Sequence, residues 1–204
     1  MTSRPTGLVA ILRGIAPAEA VAVATAVFDA GFDAVEVPYN SPDPLESIRR
    51  IRAAGPGDRR VGAGTVLTPD AVRQAADAGA SLIVSPNTRA DVVAETVRLG
   101  LESYPGAATP TEAFAALDAG ARAVKLFPSP SVGIAGMRAW ASVLPPGTGL
   151  VPVGDIDAAN LGDWAHAGAS GAGIGTSLYR PGDAPDVVGA RAAELVRVWS
   201  EHLA

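Results

Sequence analysis

The chain has 204 residues, 48% of them apolar, with a formal net charge of -5, a pI near 5.0 and no cysteine. The acidic balance and scattered arginines leave no broad basic surface for a phosphate backbone, so nucleic acid is not an expected partner. The absence of thiols excludes disulfides, a thiolate nucleophile and sulfur-ligated metal, and it points to a cytoplasmic protein. No apolar run approaches the roughly 20 residues that span a bilayer, so no membrane partner is expected.

Strand candidates, each short and apolar, fall in chain order at 8–12, 34–37, 61–65, 82–85, 102–104, 123–127, 150–153 and 171–174. Between them the chain repeats itself: Asp29-Ala30-Gly31, Asp77-Ala78-Gly79, Asp118-Ala119-Gly120 and His166-Ala167-Gly168 each lead directly into a strand. Glycine closes a helix in the left-handed conformation at little steric cost, so these sites, together with Gly100, read as helix stops. Helix starts repeat as well. Ser41-Pro42, Thr68-Pro69 and Thr109-Pro110 each offer a hydroxyl N-cap before a proline, and Thr109 with Glu112 has capping-box spacing. Strand, loop, capped helix and glycine stop in eight units predict a (β/α)8 barrel over residues 1–204 as one domain, with a doubly wound sheet as the alternative.

In such a barrel the active site lies at the C-terminal ends of the strands. Few polar residues fall there: Arg13 at the end of the first strand, Glu36 inside the second with Asn40 beyond it, Thr65 ending the third, and Lys125 inside the sixth. Lys125 is the only lysine beside fifteen arginines. A charge inside an apolar strand must be paired or neutralised. A neutral amine condenses with a carbonyl to a Schiff base, which a permanently protonated guanidinium cannot do. Two readings of Lys125 stand open, a nucleophilic amine or a buried ion pair with Glu36. Glu36 suits proton transfer in the first reading, and the Arg13 fork suits a carboxylate.

The loops after the seventh and eighth strands, with Gly154, Asp155, Gly175, Thr176 and Ser177, are candidates for holding phosphate through backbone N–H groups. The glycine run from 171 lies within a strand rather than after one, so no dinucleotide cofactor is expected. His166 and His202 are isolated, and no metal site is expected.

The set Ala10-Ile11-Leu12-Arg13-Gly14-Ile15, Glu36-Val37-Pro38-Tyr39-Asn40, Gly62-Ala63-Gly64-Thr65, Ile83-Val84-Ser85-Pro86-Asn87, Pro105-Gly106-Ala107-Ala108-Thr109 and Lys125-Leu126-Phe127-Pro128 resembles the class I 2-keto-3-deoxy-6-phosphogluconate/galactonate aldolases over nearly the whole chain. That resemblance implies a homotrimeric, cofactor-free barrel that splits a 2-keto-3-deoxy-6-phospho sugar acid into pyruvate and glyceraldehyde 3-phosphate. It implies that Lys125 is the Schiff-base lysine and Glu36 the general acid/base, that Arg13 and Thr65 hold the pyruvate-derived carboxylate, and that Pro86 and Phe127 line the pocket. The Glu36-Val37-Pro38-Tyr39-Asn40 form resembles the galactonate branch.

One departure stands out. The family's usual glycine pair after the seventh strand is Gly154-Asp155 here, and a carboxylate facing a phosphate would repel it. This keeps open cleavage of an unphosphorylated substrate, 4-hydroxy-2-oxoglutarate. A sugar-phosphate isomerase or epimerase and a non-catalytic sugar-phosphate binding protein share the fold but do not need an imine-forming lysine.

Overall fold

The computed structural model describes residues 6–55 and 59–202. The strands are β1 (Gly7–Ile11), β2 (Ala34–Pro38), β3 (Arg60–Gly64), β4 (Leu82–Val84), β5 (Glu102–Tyr104), β6 (Gly106–Ala107), β7 (Ala123–Leu126), β8 (Gly149–Pro152) and β9 (Gly171–Ile174). The helices are α1 (Pro17–Asp29), α2 (Pro44–Ala54), α3 (Pro69–Asp77), α4 (Ala90–Arg98), α5 (Pro110–Asp118), α6 (Ser129–Ala141), α7 (Leu161–His166) and α8 (Pro185–Glu201). All pairings are parallel, running β5-β4-β3-β2-β1-β9 and β6-β7-β8.

The two sheets join into a closed (β/α)8 barrel. On one side the Val153 to Gly173 bridge and Ser170 N–H donating to the Leu150 carbonyl link β8 to β9. On the other, Lys125 N–H donates to the Pro105 carbonyl and Arg122 N–H to that of Ser103. Pro105 has no N–H to give, and it divides the fifth barrel strand into β5, which pairs with β4, and β6, which pairs with β7. Sequence patterning gives that strand only as 102–104.

Helices ring the sheet, with α8 against α1, α1 against α2, α3 against α4 and α7 against α8. Among the described residues no helix is long and apolar enough to cross a membrane. The expected glycine stops at 31, 79, 100, 120 and 168 all have positive φ. The Thr68 hydroxyl caps α3, and Thr109 with Glu112 forms the capping box of α5. The expected cap at Ser41-Pro42 is corrected: α2 starts two residues later, at Pro44 after a left-handed Asp43. The Ser41 hydroxyl instead accepts the Gly14 N–H at 2.9 Å, tying the loop after β2 to the loop after β1.

Strand side chains alternate between two apolar clusters, one under the helices and one inside the barrel. On β1, Leu8 and Ala10 face the helices while Val9 and Ile11 face inward. The same parity puts Lys125 inward with Ala123 on β7, and Glu36 inward with Ala34 on β2. Tyr104 lies on the inner wall too. Its hydroxyl donates to Glu102 at 2.7 Å and accepts from Arg60 at 3.1 Å, which fixes the ring inside the barrel.

Candidate active site

Lys125 and Glu36 share a small internal cavity of about 10 Å³, walled by Val9, Ile11, Val84, Tyr104, Val151 and Val153. Lys125 is 7% exposed and Glu36 2%. Register aligns Glu36 with Ile11 on one side and Gly62 on the other. Two residues further along β3, Gly64 leaves the room the carboxylate occupies: a methyl group there would sit 1.8 Å from Glu36 Oε2. Glu36 Oε2 is buried with no hydrogen-bond partner. The Lys125 ammonium nitrogen lies over the Phe127 ring, 4.4 Å from its centroid.

The apolar wall sets the electrostatics. Burial pushes the Glu36 carboxyl up to about 7, against the opposing pull of Lys125 and Arg13. Burial pushes the Lys125 amine down to about 8; Glu36 works against that shift and Arg13 adds to it. No ion pair joins Lys125 to Glu36, so the two feel each other's charge without a shared hydrogen bond. Such a pair offers an amine that loses its proton near neutrality and a carboxyl that can both give and take one there.

The cavity shares Ile11, Val153 and Gly173 with a mouth of about 740 Å³ at the C-terminal ends of the strands, which Phe127 also lines. Arg13, Gly154, Asp155, Gly175, Thr176 and Ser177 all lie on the wall of this mouth. Arg13 donates to Asn40 Oδ1 at 2.6 Å, so Asn40 steadies the guanidinium. Asp155 adopts a left-handed conformation, φ 52, and its carbonyl accepts from Asn160 Nδ2 at 2.7 Å. Asp157, also on the mouth, turns its carboxylate to the N–H groups of Ala159 and Asn160, a turn-capping role.

Three anticipated residues lie outside the walls of both cavities. Thr65 follows β3 in a left-handed conformation, φ 57, and is half-buried. Pro86 packs its backbone onto β6, where a methyl on Gly106 would lie 2.3 Å from the Pro86 carbonyl oxygen. Asn40 reaches the site through Arg13. Sequence patterning singles out neither the apolar inner walls, which strand parity from Lys125 and Glu36 identifies, nor Arg180, three residues beyond Ser177 on the mouth.

The family model for KDPG and KHG aldolase matches residues 2–188. The chain is 46% identical over 194 residues to the 2-dehydro-3-deoxy-6-phosphogalactonate aldolase of Escherichia coli (strain K12), covering 95% of each protein. A solved structure of native KDPGal superposes with a TM-score of 0.94 at 45% identity, covering 96% of this chain and 95% of that one. A cube-shaped, highly porous cage designed by fusing symmetric oligomeric domains matches with a TM-score of 0.93 at 45% identity, over 96% of this chain and 73% of that one.

Proposed function

The chain belongs to the KDPG and KHG aldolase family and is a carbon–carbon lyase, and we propose that it cleaves 2-dehydro-3-deoxy-6-phosphogalactonate to pyruvate and D-glyceraldehyde 3-phosphate through a Schiff base on Lys125. One observation carries this reading. The only lysine of the chain is buried inside the barrel beside a buried carboxylate whose Oε2 has no hydrogen-bond partner.

Neutral Lys125 Nζ attacks the C2 ketone, and protonation of the carbinolamine hydroxyl by Glu36 releases water to leave the iminium. The iminium withdraws the electrons of the C3–C4 bond. Glu36, now a carboxylate, takes the C4 hydroxyl proton directly or through water as that bond breaks and the aldehyde leaves. The same proton then returns to C3 of the enamine, and hydrolysis of the resulting iminium frees pyruvate and Lys125. The iminium is itself the electron sink, so the chemistry calls for no metal or organic cofactor.

Arg13, steadied by Asn40, binds the substrate carboxylate, while Phe127 confines the chain of the substrate. Gly154, Asp155, Gly175, Thr176 and Ser177 border the far end, where the phosphate sits. The likeness to a relative named for the galactonate substrate, together with the Glu36-Val37-Pro38-Tyr39-Asn40 form, supports the galactonate epimer over the gluconate one. We further read residues 1–204 as one domain in a cytoplasmic homotrimer. Oligomeric assembly is supported by the likeness to a cage built from symmetric oligomeric domains.

A second reading, cleavage of 4-hydroxy-2-oxoglutarate to pyruvate and glyoxylate, rests on Asp155 at the mouth. Pyruvate release from the two 6-phosphorylated epimers and from 4-hydroxy-2-oxoglutarate separates these readings. The galactonate epimer is expected to give the highest kcat/KM, and a higher value for 4-hydroxy-2-oxoglutarate would overturn that choice.

A further inference from the structure

The mouth carries opposing charges whose arrangement gives a role to a residue outside the family motifs. Arg13 and Arg180 both line it and both are exposed, as is Asp155. The two arginines come from the loops after β1 and β9, which are locked together where Gly14, at φ +83, abuts Pro181; a methyl group on Gly14 would lie 2.8 Å from the proline ring. Arg13 is committed to Asn40. Arg180 is stationed beside the Gly175 to Ser177 loop, its Nε directed at the Thr176 carbonyl at 3.4 Å.

The carboxylate nearest in sequence, Asp183, is taken by the backbone N–H of Arg180 and by the side chain of Arg191, which pairs with it at 2.5 Å. Arg180 lines the mouth, and among the described residues its guanidinium makes no salt bridge, though its charge is felt by Asp183. A guanidinium so placed presents a donor fork matched to a phosphate, and it offsets the repulsion that Asp155 would exert on one.

Resting on the aldolase reading, we propose that Arg180 is the specificity-determining residue that binds the terminal phosphate of the substrate and makes a phosphorylated sugar acid acceptable beside Asp155. Arg13 then holds the carboxylate end of the substrate and Arg180 the phosphate end, with Lys125 and Glu36 deeper between them.

The test compares kcat and KM of the wild-type enzyme, Arg180→Met and Arg180→Lys on 2-dehydro-3-deoxy-6-phosphogalactonate and on the same sugar acid without its phosphate. Arg180→Met is expected to raise KM for the phosphorylated substrate about tenfold or more with kcat nearly unchanged, because the contact is made equally in ground and transition states. The kcat/KM for the unphosphorylated acid stays within about twofold, and Arg180→Lys keeps part of the preference through charge alone. The KM of the wild-type enzyme for the phosphorylated acid should also climb with ionic strength, an effect that Arg180→Met blunts. A preference retained in full by Arg180→Met overturns the inference and leaves the aldolase reading standing. A wild-type enzyme that cleaves both acids equally well overturns the inference together with the choice of a 6-phosphorylated substrate.

Discussion

Glu36→Gln removes a carboxylate that the fold holds near neutral titration, and its effect on stability depends on pH in a defined direction. The carboxyl titrates at its ordinary value of 4.5 when unfolded and at about 7 in the barrel. Between these values the native state binds more protons than the unfolded chain, so this group makes stability fall as pH rises. A tenfold change in proton affinity is worth about 1.4 kcal/mol, so burial of this carboxyl costs about 3 kcal/mol once it is ionised above pH 7.

Glutamine fills the same space and does not titrate. Relative to the wild type, Glu36→Gln should therefore gain about 1.5 to 2 kcal/mol between about pH 5 and about pH 6.5, a window in which Lys125 remains largely protonated. Urea unfolding of both proteins across this window, at one fixed protein concentration, reads the difference. Parallel stability curves would refute the reasoning, since they would mean that Glu36 titrates like an exposed carboxyl.

Imine formation needs Lys125 neutral, with its amine at about 8 rather than 10.5, and Glu36 protonated, with its carboxyl at about 7, so its rate with pyruvate should follow a bell with its maximum between about pH 7 and pH 8. A rate that keeps climbing toward pH 10 would show an ordinary lysine. Gly64→Ala places a methyl group 1.8 Å from Glu36 Oε2, so the carboxylate must move. A displacement of about 1 Å from productive geometry is expected to lower kcat on the order of a hundredfold. Circular dichroism checks that Gly64→Ala still folds, and a folded variant with wild-type kcat would show that the position of Glu36 is not critical.

Much of the barrel is legible because its punctuation is local. A glycine that ends a helix and a Thr-Pro pair that starts one declare themselves within four residues, and strand parity then turns Lys125 and Glu36 inward together. The failures arise where a longer-range partner decides. Ser41 looks like a cap, but its hydroxyl is taken by the Gly14 N–H on a neighbouring loop, and the helix starts at Pro44. Pro105 looks like a strand end, yet the chain resumes as β6 because Lys125 and Phe127 offer N–H groups to the Pro105 and Ala107 carbonyls. Arg180 carries no motif and becomes visible only when the loop after β9 folds back against Gly14. The inner wall of Val84, Tyr104 and Val151 reads in sequence as ordinary core, since only register identifies the strand faces that enclose a reactive amine.

The account rests on an imine at Lys125, and trapping it is the most direct measurement. The folded protein is incubated with pyruvate and sodium borohydride, then analysed intact and as peptides by mass spectrometry, with Lys125→Arg as the control. Lys125 carries the only side-chain amine in the chain, so the account predicts one reduced pyruvyl group on the peptide containing it and none on the Lys125→Arg protein. An unmodified folded protein, or an adduct confined to the α-amino group, would contradict the Schiff-base mechanism and return Lys125 to a structural role beside Glu36.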